Sequence, residues 1–112
     1  MTTTAAVTAA TALLASQTSA PKFDQADEKE ISRIIGLLDG AEGNQVTKLQ
    51  AHLDTYRAQA QIRAYARVAA KVSSWSTTAR ILGDDDDATW YEELAISRLA
   101  LAEAVRLVRL GE

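Results

Sequence analysis

Ile31, Ile34, Ile35 and Leu38 fall at i, i+3, i+4 and i+7, the single apolar stripe of an amphipathic helix. Asp27, followed three residues later by Glu30, is a helix-start signal, and the two predict a helix over about 28–39 that Gly40 and Gly43 break. Phe23, just upstream, is expected to fold back on this stripe. Asn44 suits a second cap. From Gln45 to Leu82 no Gly or Pro intervenes, so one helix can run over about 45–82, on the order of 57 Å. Gly83 and the run Asp84, Asp85, Asp86 and Asp87 interrupt it, and a last helix follows over about 88–110 with Gly111 as its stop. Glu92 and Glu93 near its start, with Arg98, Arg106 and Arg109 toward its end, stand in the order the helix dipole favours. The expected fold class is all-α: a small bundle of three main helices with one unusually long central helix. The Ala/Thr-rich leader, residues 1–22, has room for a fourth short helix, and residues 23–112 read as a single helical domain.

The long helix changes its apolar face partway. Val46, Leu49, Leu53, Tyr56 and Ala60 form one seam, and Ile62, Tyr65, Ala69, Val72, Ser76 and Ala79 form another, with Val68, Trp75 and Leu82 beside it. At about 100° per residue, the offset from Val46 to Ile62 leaves the two seams roughly 160° apart. Arg63, Arg67 and Lys71 continue the line of the first seam as a basic stripe. Ala58, Gln59, Ala60 and Gln61 at the crossover are good helix formers, so the helix is expected to stay unbroken, its halves packing on different neighbours. Three helices offer little cover for the second seam. Ile62, Tyr65, Val68, Ala69, Val72, Trp75 and Ala79 are therefore expected to face another chain. The last helix adds to this, being apolar on more than one side: Leu94, Leu101, Val105 and Val108 on one, Ile96, Leu99, Leu107 and Leu110 on another.

Charge sharpens the picture more than composition does. The 112 residues are 47% hydrophobic and carry a net charge of −3, which suits one folded domain. Within it, residues 44–82 hold six basic groups against one acid, while residues 83–97 hold six acids and no base. The uncharged leader from Met1 to Ala20 lacks the basic start of a signal peptide, and Pro21 follows its best small-residue site, so secretion is not expected. It is too dilute in apolar residues to span a bilayer. The sequence suggests a cytoplasmic or particle-associated protein whose leader is anchored by a partner.

Candidate chemistry is sparse. There is no cysteine and one histidine, His52, which argues against thiolate catalysis and zinc. Asp84 to Asp87 supply oxygen ligands for a hard cation, but an EF-hand count from Asp84 puts Thr89 at the sixth position and Ala95 at the twelfth, where Gly and Glu belong. One of these aspartates is expected to cap the last helix, and the run can also meet a basic partner. Arg63, Arg67 and Lys71 can contact phosphate or an acidic partner. Glu92 and Glu93 are adjacent and splay apart on a helix, and no catalytic constellation, metal site or cofactor motif emerges. The favoured expectation is a non-enzymatic structural or adaptor subunit, such as a phage virion or neck component or a small helical subunit of a bacterial complex. Its partner is protein, either further copies of itself or other subunits. A nucleic-acid-associated helical protein using the basic face is the alternative, and an inhibitor or regulator acting through its acidic run is a third reading.

Overall fold

In a computed structural model the described residues are 4–17 and 21–111. They form α1 (Thr4–Ala15), α2 (Gln25–Asp39), α3 (Asn44–Ile81) and α4 (Asp85–Val105), and a π-helical turn, Arg106–Leu110, continues α4; no strand occurs among them. The leader does contain a fourth helix. The molecule measures 61 × 35 × 24 Å with a radius of gyration of 17.4 Å. A compact domain of this length would have about 13 Å. The excess is the length of α3, which runs unbroken through the crossover.

Two caps differ from those expected. The α2 cap is Asp24, whose carboxylate accepts the Asp27 N–H at 2.8 Å, so Asp27 lies inside the first turn and is only 4% exposed. Asp24 precedes Asp27 by the same three-residue interval that relates Asp27 to Glu30, and the earlier pair wins because Asp27 is engaged by α3. At the start of α3 the cap residue is Gly43, at φ 58, with no side-chain cap bond; Asn44 is already helical.

Between α3 and α4 the chain turns within a few residues. The Gly83 N–H donates to Arg80 O at 3.1 Å and the Asp84 N–H to Ala79 O at 2.9 Å, the paired bonds of a Schellman motif. That motif needs a left-handed residue, which Gly83 supplies at φ 80. Asp84 then caps α4 through the Asp87 N–H. The result is a tight antiparallel hairpin in which the last residue of one motif opens the next.

Large buried side chains concentrate at one end of the rod. Leu101 and Val105 of α4 are fully buried against Ala58 and Tyr65 of α3, and Leu13 and Leu14 of α1 close the same cluster. On another side of α3, Leu53 meets Ile31 and Ile34 of α2, with Phe23, Leu38 and Tyr56 packed around them. Phe23 therefore does fold back. The unbroken α3 has different neighbours for its two seams, α2 for the first and α4 for the second, and both belong to the same chain. The leader finds its anchor in the chain too, on α4 and its terminal turn. Beyond this proximal end, α3 and α4 continue as a hairpin with its own small cluster of Ala69, Val72 and Ala95.

Candidate interaction surface

The basic stripe is largely occupied. Arg63 donates to both carboxylate oxygens of Asp27 at 2.7 and 3.4 Å, the Tyr56 hydroxyl donates to Asp27 Oδ1 at 2.8 Å, and Arg67 pairs with Asp24 at 3.4 Å. The Arg63 hydrogen bond holds the Asp27 carboxyl below its ordinary value despite burial, and the Tyr56 hydroxyl is raised chiefly by its bond to the same carboxylate. Arg63 is correspondingly raised by Asp27. Two of the three stripe cations thus bind α2 onto α3. Lys71 stands apart, its ammonium 5.8 Å from the centre of the Trp75 ring.

The second seam divides. Tyr65, Ala69, Val72 and Ala79 are buried against α4, and Ile62 packs beside the proximal core, so these five are not free surface in the single chain. Val68 and Trp75 remain exposed. In the distal hairpin, Ala69, Val72, Ser76 and Ala79 of α3 and Ala88 and Ala95 of α4 are buried. The Ser76 hydroxyl donates to the Ala88 carbonyl at 3.0 Å and so satisfies itself inside the seam. Large apolar side chains lie outside: Ile81 is 79% exposed, Leu82 78%, Ile96 66% and Trp90 59%, and Val68, Trp75 and Leu99 are exposed as well. Small residues inside permit close helix approach, but they leave the larger hydrophobic groups in water.

These outer groups make two flanks. On one, Trp75 and Tyr91 meet edge-on at 5.8 Å and 65°, and Trp90 meets Tyr91 at 5.3 Å. With Leu82, Thr78, Ala79, Asp84 and Asp87, the first two rings line a hollow of about 540 Å³. On the other, Ile96 and Leu99 border a groove with the buried Ala69 and Ala95, and with Ala66, Ala70, Ser73 and Glu92, the last of which pairs with Arg80.

At the tip, the Asp84 carboxylate serves as a cap, as expected for one of the four aspartates. A hydrogen bond with Asp84 and the repulsion of that neighbour raise the Asp87 carboxyl above its usual value, with burial and Asp86 adding to the effect. Among the described residues no cluster of three or more His, Asp or Glu side chains is placed to hold a metal ion. His52 is exposed, edge-on to Tyr56, and Asp54 accepts a hydrogen bond from Gln50. No described helix is long and apolar enough to cross a membrane. No family model, curated protein or solved structure matches this chain.

Sequence periodicity marked Trp75, Ile96 and Leu99 but did not single out Ile81, Trp90 or Tyr91. The available signal was Ala88 and Ala95, spaced seven apart, which match the small residues of α3 and mark the inner face of α4.

Proposed function

We propose that this protein is a non-enzymatic helical subunit or adaptor of a larger protein assembly, acting through helix–helix contacts made by its distal hairpin. A particle component of a tailed phage and a small subunit of a bacterial complex both belong to this class. The observation that carries the reading is the distribution of side-chain size across residues 68–99: apart from Val72 the buried residues are small, while most of the large apolar ones are exposed. Each large aliphatic or aromatic group left in water forgoes about 1.5–3 kcal/mol that a partner surface would supply. Aromatic residues grouped on one flank are typical anchors of protein interfaces. The internal ion pairs of Arg63 and Arg67 weigh against nucleic acid as the main partner, because they answer the very cations that a phosphate would need.

Photo-crosslinking in the cells that make the protein tests this. A photoreactive side chain at Trp90 or Ile96 is expected to give discrete, nuclease-resistant protein adducts, and one at Ser32, on the outer face of α2, none. Equal adducts at all three positions, or none at any, would contradict the proposal.

A further inference from the structure

We infer that the Trp75 flank receives a second copy of this chain, packed antiparallel about a two-fold axis beside Trp75. This rests on the reading of the distal hairpin as an interaction surface and names the partner for one of its flanks.

The flank is complementary to itself in charge. Lys71 lies over the Trp75 ring, one helical turn toward the proximal end. Asp84 and Asp87 line the same hollow as Trp75 and Tyr91, toward the tip. The Ser76–Ala88 hydrogen bond sets Asp87 level with the α3 residues just beyond Trp75. Positive charge therefore sits about a turn to one side of Trp75 and negative charge a similar distance to the other. Neither Lys71 nor Asp84 nor Asp87 forms an ion pair with another described residue. The Asp87 carboxyl, crowded by Asp84 and Asp86, is placed to gain from an outside cation.

An isologous contact repeats every pairing twice. Reversing one copy about Trp75 brings Lys71 of each toward Asp87 of the other and stacks the Trp75 and Tyr91 surfaces between the two ion pairs, with Leu82 flanking them. Parallel pairing would instead oppose aspartate to aspartate. The antiparallel arrangement is thus the one in which the hydrophobic centre and both charged ends agree.

Sedimentation equilibrium on the full chain, with helicity checked by circular dichroism, tests the inference. The unsubstituted protein is expected to dimerise. Lys71→Glu and Asp87→Lys should each weaken the dimer at least about tenfold, because each puts like charges together twice. An equimolar mixture of the two variants is expected to recover the dimer, since Glu at 71 then meets Lys at 87 and Lys71 meets Asp87. A protein that stays monomeric, a dimer indifferent to both substitutions, or a mixture that does not recover would overturn the inference. A monomer that still crosslinks to another protein through Trp90 or Ile96 sinks this pairing and leaves the assembly reading standing; a monomer with no adducts sinks both.

Discussion

Leu101→Ala is expected to lower the free energy of unfolding by about 3–4 kcal/mol, a large share of what a domain of this size possesses. Leu101 is fully buried where α1, α3 and α4 meet, against Ala58, Tyr65, Ala102 and Val105. Two of those neighbours are alanines, whose short side chains cannot swing in to fill the space, so the cavity persists and its cost adds to the lost transfer energy. Leu99→Ala, two residues away and 54% exposed, is expected to change stability by less than about 0.5 kcal/mol in the monomer. Urea unfolding of both variants at unchanged slope measures the difference. Equal losses at the two positions would mean that α4 is rotated from the orientation described.

The second large effect belongs to Asp27. Asp27→Ala removes the carboxylate that hydrogen-bonds both Tyr56 and Arg63 to α2, and about 2–3 kcal/mol should go with it. Arg63 is 44% exposed and can rehydrate, which keeps the loss below that of a fully buried pair. The acid dependence has a definite sign. The folded-state value of Asp27 lies below the ordinary 3.8, chiefly because of the Arg63 hydrogen bond, so its contribution is complete above the unfolded-state value and disappears as pH falls through the folded one. Between neutrality and about pH 5 the contribution of this group is constant. Below about pH 4 the unsubstituted protein should lose stability more steeply than Asp27→Asn, which has no carboxylate to protonate. Unfolding midpoints followed from neutral pH to about pH 2 check this; parallel acid limbs for the two proteins would contradict it.

The long helix was legible in the sequence because nothing from Gln45 to Leu82 breaks it and its crossover residues all favour helix. The out-of-phase seams were legible for the same reason, since periodicity fixes which face is apolar. It does not say what covers that face. Tyr65 and Val72 read as needing a neighbour, and the neighbour is α4, brought back by the Gly83 turn. The cap of α2 was ambiguous locally, because Asp24 and Asp27 both satisfy the start pattern. The choice depends on Tyr56 and Arg63, 29 and 36 residues away. In α4, apolar residues on several sides left the inner face undecided until the small residues were seen to hold it.

Residue-resolved amide hydrogen exchange at two protein concentrations tests the division of α3 and α4 most directly. In dilute solution the amides near Leu53–Tyr65 and Leu101–Val105, enclosed by three or four helices, should exchange most slowly. Those of residues 68–99, whose buried side chains are mostly small, should exchange faster. Raising the concentration until copies pair is expected to slow the distal hairpin while leaving the proximal amides unchanged. Uniform protection along α3 and α4, the same at every concentration, would contradict a core at one end and a surface awaiting cover at the other.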